Sequence, residues 1–356
     1  MTNIKSLKNN DSNENQSSKT ARQLMIHIPK RNKGKQSATA QIAYDVEMVA
    51  FFKAIKKIDA TLPFKVSSRG WCYILEDHGL TKGNFKSAED LINAGRKTGL
   101  LPIDFTAKDG SRAFECIEYV DEGTPEDEAD FILKSAFTGH TRYNPLPFWD
   151  YQHYYLELIV EKVDLKSLFN PLCRKYCIPV ANAKGWSDIN MRAEMIERFK
   201  YWEDKGKTPV LLYCGDHDPA GINISNLIKK NLNDLQQATG WNADNLSIDR
   251  FGLNYDFIIA NNLSWIDNLE TGAGKDLASP KHPDHGKAWV QDYIKAYGDR
   301  KVEANALVVR IEAGIELFKS TLDKYLDYEA IEQRQDDTFE QQSQVSLLVR
   351  QLMKAA

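Results

Sequence analysis

Three carboxylates dominate the chemistry that this sequence could perform. Glu161-Lys162 follow the apolar run YYLELIV, and Gly215-Asp216-His217-Asp218-Pro219-Ala220-Gly221 follow the run TPVLLYC. Asp216 and Asp218, at i and i+2, can both face one point in an extended turn, and Glu161 completes a three-carboxylate cluster if its strand lies beside theirs. Crowding three anions costs free energy unless a cation or protons offset it. A hard divalent cation with oxygen ligands does this, and Mg²⁺ suits sites that keep waters and take up phosphate oxygens. Pro219 stiffens the exit of the turn, and Gly221 allows close approach of backbone or phosphate. The same residues also admit a plainer role, with Asp216 and Asp218 as a helix N-cap and its neighbour and Glu161 in solvent.

These side chains need a scaffold, and the second half of the chain supplies its pattern. Strand-like runs at 154–161, 178–183, 208–214 and 246–253 alternate with helical stretches near 163–176, 188–204 and 219–237. Near-continuous apolar strands separated by helices predict a parallel sheet covered on both faces. In such sheets polar chemistry gathers at the carboxyl ends of the strands, where the acidic residues fall.

The first half reads differently. Residues 44–58 place apolar side chains at helical spacing. Ser67 or Ser68 can cap a helix containing Arg69-Gly70-Trp71-Cys72-Tyr73-Ile74-Leu75, stopped by Gly79, and Ser87 can cap another stopped by Gly99, with Arg96 and Lys97 in its last turn. LPIDFTAKDGSRAFECIEYV then reads as two strands around Asp109-Gly110, a dipeptide preferred in tight hairpins. Three helices and a hairpin outline a winged helix-turn-helix, an arrangement that serves DNA and protein contacts alike. The expected organisation is a basic disordered arm (1–38), a winged-helix domain (39–120), a linker (121–150) carrying the acidic run DEGTPEDEAD, a parallel-sheet domain (151–326) and a C-terminal helix or tail (327–356).

Composition bounds the rest. The chain has 356 residues, 42% of them apolar, with a net charge of −4. That excludes a collagen-like or wholly disordered chain, and no apolar run approaches the roughly 20 residues of a membrane span. Residues 1–40 hold eight Lys/Arg against Asp11 and Glu14, so a basic arm precedes an acidic body. Such an arm suits a polyanion, and equally a solubilising tail. The N-terminus has no apolar secretion signal, and five scattered cysteines do not make a disulfide framework, so a cytoplasmic location is expected.

Taken together, Glu161-Lys162, Lys184-Gly185-Trp186-Ser187-Asp188 with Arg192, and Asp216-His217-Asp218-Pro219-Ala220-Gly221 resemble a Toprim domain. More narrowly, they resemble the A subunit of type IIB topoisomerases (topoisomerase VI) and the related meiotic double-strand-break transesterase. The resemblance covers roughly residues 60–310. It implies an α/β protein with an N-terminal winged helix and a Rossmann-like Toprim domain, and Arg69-x-x-x-Tyr73 stands where that family keeps its nucleophilic tyrosine motif. Tyr73 would then attack a phosphodiester, with Arg69 steadying the phosphate or phenolate and Glu161 as acid/base. Mg²⁺ would be held by Glu161, Asp216 and Asp218, and Lys162, Lys184, Arg192, Arg96 and Lys97 would contact DNA. The implied partners are duplex DNA, a second copy of the chain and, for strand passage, a separate ATPase (B-type) subunit, with a nucleoid-associated location.

Cys72 replaces the aromatic that often precedes the tyrosine, Trp186-Ser187 replace Tyr-Pro, and His217 replaces an aromatic between the aspartates. Two alternatives follow: a Toprim nuclease using metal-activated water, or a non-catalytic DNA-binding accessory protein of a mobile element. Elsewhere, Thr271-Gly272-Ala273-Gly274-Lys275-Asp276 lacks the spacing and hydroxyl of a phosphate loop. His282-x-x-His285 and the Cys173/Cys177 pair read as loop and packing, Glu303 as a structural or supporting acid, and Ala306–Leu326 as a helix.

Overall fold

The computed structural model describes residues 25–31, 34, 37–107, 118, 123–183, 189–270 and 275–355. The chain divides into two compact units, one running to Pro63 and including Trp71–Phe105, the other comprising Phe64–Gly70 and everything from Thr106 onward.

The first unit is helical. Helix α1 spans Ala38–Asp59, and the Ser37 hydroxyl accepts the Ala40 N–H at 3.2 Å, satisfying one of the donors a helix start leaves open. Helix α2 spans Ser68–Asp77 and α3 spans Phe85–Lys97. Their core combines Phe51, Phe52 and Ile55 of α1, Trp71 to Leu75 of α2, and Phe85, Ala88, Leu91 and Ile92 of α3, all buried. Trp71 stacks on Phe105 at 4.9 Å and Tyr73 meets Phe85 edge-on at 5.1 Å. Gly79 and Gly99 take the left-handed backbone (φ +96° and +76°) at the stops expected for these two helices. Helix α3 starts two residues before Ser87, because a short 3₁₀ turn at Lys82–Asn84 already winds the chain into it. Of the expected hairpin, residues 101–107 form turns rather than a strand. The rest of it lies outside the described residues, apart from Glu118.

The second unit is α/β. Helix α4 (Pro125–Thr138) turns the acidic run into a helix start. Thr124 and Asp127 exchange hydrogen bonds as a capping box, and Glu126, Asp127 and Glu128 lie at the positive end of the helix dipole. Then follow β1 (Tyr154–Val160), α5 (Val163–Lys175), β2 (Val180–Asn182), α6 (Ile189–Asp204), β3 (Thr208–Cys214), α7 (Pro219–Ile222), α8 (Ile224–Asn233), α9 (Gln236–Thr239), β4 (Ser247–Gly252), α10 (Tyr255–Ala260), α11 (Ala288–Tyr297), α12 (Ile311–Leu322) and α13 (Tyr328–Ala355). The four strands form one parallel sheet in the order β2-β1-β3-β4. After their first residue β1 and β3 are buried throughout, as central strands covered on both faces must be. Helices α5 and α12 pack together on the sheet, and α6 packs with α8 and α9.

Two helical expectations change in detail. The stretch 219–237 is broken at Asn223 and Leu235 into three pieces. The helix expected from Ala306 becomes a 3₁₀ segment, Ala304–Val309, followed by α12. Arg310 separates these two with φ −135° and donates Nε to the Asn261 carbonyl, so a non-helical contact claims the joint.

The chain leaves β1 for β2 on one side, then returns to β1's other side for β3. Strand order therefore reverses between β1 and β3. In open parallel sheets this reversal opens a crevice beyond the carboxyl ends of the two strands.

Candidate functional site

Glu161 follows β1 directly, and Gly215-Asp216-His217-Asp218 follow β3, so the acidic residues flank that reversal point. The Glu161 N–H donates to the Cys214 carbonyl at 3.0 Å, carrying the β1–β3 pairing one residue past the strand. Each carboxylate of the adjoining pair has an inner and an outer oxygen. Glu161 Oε2 accepts the Asp216 backbone N–H at 2.7 Å and the Tyr213 hydroxyl at 3.3 Å. Asp216 Oδ1 accepts the Ala304 N–H at 2.7 Å. The outer oxygens, Glu161 Oε1 and Asp216 Oδ2, converge on a single cation, the Lys162 ammonium, at 3.0 and 2.8 Å. Gly215 makes this approach possible, since a Cβ there would lie 2.6 Å from Glu161 Oε2 and 2.5 Å from the Tyr213 oxygen.

Asp218 is used otherwise. Its Oδ1 accepts the Gly221 N–H at 2.6 Å and caps α7, with Pro219 as the first helical residue. Among the described residues no three His, Cys, Asp or Glu side chains are arranged as a metal-binding group. One oxygen of Asp218 is committed locally, because the short helix after β3 takes it for its own open donor. What remains is a pair, Glu161 and Asp216, with Asp218 close enough to add its field.

The electrostatics follow from this crowding. Burial and the neighbouring Glu161 charge push Asp216 up to about 8, despite Lys162 and the Ala304 N–H. Burial also works against the charged form of Glu161, but the Lys162 ammonium and the Asp216 N–H outweigh it and hold the group below its ordinary range. Lys162 loses hydration through burial, yet the two carboxylates more than compensate and keep it protonated. Burial raises Asp218 as well.

Beneath the loop lies a second cation. Arg250 of β4 donates Nε to the Gly221 carbonyl at 2.8 Å, Nη2 to the carbonyls of Asp216 (3.0 Å) and Leu253 (2.9 Å), and Nη1 to Asn254 Oδ1. His217 turns inward: it is 1% exposed, its Nδ1 lies 3.1 Å from the Leu253 carbonyl, and Tyr255, Trp265, Tyr293 and Tyr297 surround its ring. Burial lowers its pKa to about 4, so the imidazole is neutral and serves the packing of the loop. The His217 backbone pairs with Val302 in both directions, at 2.8 and 3.1 Å.

Arg69, expected beside the nucleophile, belongs to the second unit. It donates Nε and Nη2 to both oxygens of Glu303, at 3.2 and 3.3 Å, next to the Ala304 N–H that holds Asp216. Tyr73, one turn further along α2, belongs to the first unit and is 1% exposed, with the Lys82 ammonium 4.8 Å above its ring. Arg96 donates Nε and Nη2 to the Ile103 carbonyl, closing the turn after α3, whereas Lys97 is exposed. Arg192 donates to the Asn231 carbonyl at 3.0 Å. Lys184 lies outside the described residues. His282 and His285 serve their own loop, the first accepting the Asp284 N–H and the second lying 2.9 Å from the Leu277 carbonyl.

Comparisons of the chain with protein-family models, with curated proteins and with solved structures found no match.

Proposed function

We propose that this protein is a Mg²⁺-dependent enzyme of the Toprim type that breaks DNA phosphodiester bonds with water as nucleophile. One observation carries the proposal: the outer oxygens of Glu161 and Asp216 converge on a single cation at the point where the sheet reverses its strand order. The donor set fits Mg²⁺, which is commonly bound through one or two carboxylates plus waters and substrate phosphate oxygens. The ammonium already held between the two oxygens marks the position where positive charge is stabilised. Glu161 and Asp216 would hold the metal, and Asp218, capping α7, would add negative field. Bound there, Mg²⁺ supplies charge neutralisation at the phosphate and a more acidic water.

The protein's own residues do the positioning. Ala304, Gly215 and Arg250 fix the backbone under Asp216, so its carboxylate needs no rearrangement to accept a cation. Asp216 retains a proton into the neutral range, and loading of the site releases it. DNA as the substrate rests on the resemblance of the motifs and on the basic arm. The three-helix first unit supports a winged-helix-type contact with duplex DNA. The resemblance extends the proposal to a homodimer, to a nucleoid-associated location and, for strand passage, to a separate ATPase subunit.

Water is favoured over Tyr73 because the phenol is enclosed among α2 and α3 side chains, and because Arg69, its expected helper, is paired with Glu303. The test is cleavage of plasmid DNA in Mg²⁺ and in chelator, with a parallel gel for SDS-stable protein–DNA adducts. The unmodified chain and Tyr73→Phe should both cut without adduct, and Asp216→Asn should not cut. An adduct that disappears in Tyr73→Phe would replace hydrolysis by tyrosine transesterification. Absence of any Mg²⁺-dependent cutting would leave a DNA-binding accessory protein.

A further inference from the structure

We infer that Lys162 is a built-in plug, an intramolecular cation that occupies the divalent-cation position and must swing out before metal can load. The inference rests on the cation site proposed above and goes beyond it by assigning a gate to that site. The geometry is specific. A surface lysine pairs with one carboxylate; this one lies 3.0 Å from Glu161 Oε1 and 2.8 Å from Asp216 Oδ2, the two oxygens left over after backbone N–H groups have claimed the inner ones. An ammonium and a divalent ion cannot both occupy the point between those two oxygens.

Lys162 is the residue after Glu161 and begins the approach to α5 with extended backbone (φ −122°, ψ 147°), so its side chain alone has to move. Its side chain is 29% exposed, which leaves the ammonium a route to water, whereas the Asp216 side chain is 10% exposed. The plug has two physical effects. In the metal-free protein it supplies a hydrogen-bonded counter-charge to two carboxyl groups that burial has brought together. Toward metal it is a competitor, so the apparent affinity is reduced by the fraction of molecules in which the ammonium has vacated the site. Removing the charge should therefore weaken the metal-free fold and tighten metal binding at the same time. A lysine that only supports the fold would not produce the second effect.

The experiment titrates Mg²⁺ alone, and Mn²⁺ alone, into the full chain by calorimetry and follows thermal unfolding in chelator and in Mg²⁺. It compares the unmodified protein with Lys162→Met, Lys162→Arg and Glu161→Gln. Lys162→Met should unfold earlier than the unmodified chain in chelator, regain the difference in Mg²⁺, and bind Mg²⁺ about tenfold or more tightly. Lys162→Arg should behave as the unmodified chain, and Glu161→Gln should bind Mg²⁺ weakly whatever stands at 162. If Lys162→Met binds Mg²⁺ no more tightly while Glu161→Gln still abolishes binding, the plug is overturned and the cation site stands. If neither the unmodified chain nor Lys162→Met binds either metal, the site itself is wrong and the plug falls with it. Should Lys162→Met fail to fold, Lys162→Gln and the Mg²⁺ dependence of its refolding yield decide the same question.

Discussion

Strand β1 and the residue that follows it carry two acid–base clusters four residues apart, and they are built on opposite plans. At Glu157 the carboxylate is 3% exposed and both its oxygens are taken by one guanidinium, Arg198 Nε at 2.7 Å and Nη2 at 3.0 Å, with the Tyr155 hydroxyl on Oε1. Charge is matched one to one and the geometry is a planar fork, the arrangement that suits a permanent buried pair. At Glu161 two carboxyl groups share one ammonium, and burial with the neighbouring charge leaves Asp216 protonated into the neutral range. Glu157 lies within the sheet between α6 and Tyr155, while Glu161 lies just past the strand end, where the strand order reverses. The difference teaches how to separate structural from functional acids on one strand. Glu157 is satisfied by a planar fork that fills both of its oxygens, whereas Glu161, the acid proposed to be functional, shares a single ammonium with a second carboxyl group.

The comparison can be broken in four ways, the largest first. Arg198→Met strands the Glu157 carboxylate inside the sheet, where burial already raises its pKa. Stability should fall by about 3 kcal/mol, the lower end for breaking a buried pair because the Arg198 side chain is 40% exposed. Denaturant unfolding checks this, and added Mg²⁺ should restore none of it.

Glu161→Gln should lower stability in chelator only modestly, since it loses the charge that Lys162 and the Asp216 N–H favour, yet lower Mg²⁺-dependent DNA cleavage by about a hundredfold. Equal losses of fold and cleavage would erase the distinction between the two acids.

The third test uses pH. The Asp216 pKa is raised in the folded chain, so the protonated form is the one favoured by folding. Its contribution is in full at acid pH, below the ordinary carboxylate range, and is lost as pH rises through about 8. In chelator, stability should therefore drop by about 1–2 kcal/mol across the neutral-to-alkaline range, and Asp216→Asn should flatten that slope. Arg198→Met should leave the slope in place.

The smallest effect is expected for Tyr73→Phe. It preserves the ring against Phe85 and should cost about 1 kcal/mol or less, with cleavage rate unchanged.

Much of this was legible in the sequence because it depends on period and punctuation. The four strands lie within one or two residues of their apolar runs, and the acidic residues fall at strand ends as expected. Gly79 and Gly99 stop the helices they should stop. What sequence could not give depends on which donor wins a given oxygen. Asp218 looked like a third ligand, but the N–H of Gly221, three residues on, was closer to hand. Arg69 looked like a partner of the tyrosine one turn away, but Glu303, remote in sequence, offered it two oxygens. Arg250 carried no signal at all, since an arginine in a strand pattern reads as an exposed charge, and only the folded loop supplies the carbonyls that bury it. Asp164 escaped notice for the same reason. It is fully buried and accepts both the N–H and the hydroxyl of Ser67 at 2.5 Å, a pairing across 97 residues that no local pattern encodes.

The clamp formed by Arg250 has a kinetic corollary. It fastens carbonyls on both sides of the β3 turn and one beyond β4, while Val302 and Ala304 pin the same turn from a third segment. A main chain tethered at so many points has no hinge left to open. Admission of an ion would then wait on the release of one ion-paired lysine, and not on the microsecond-to-millisecond closure of a lid.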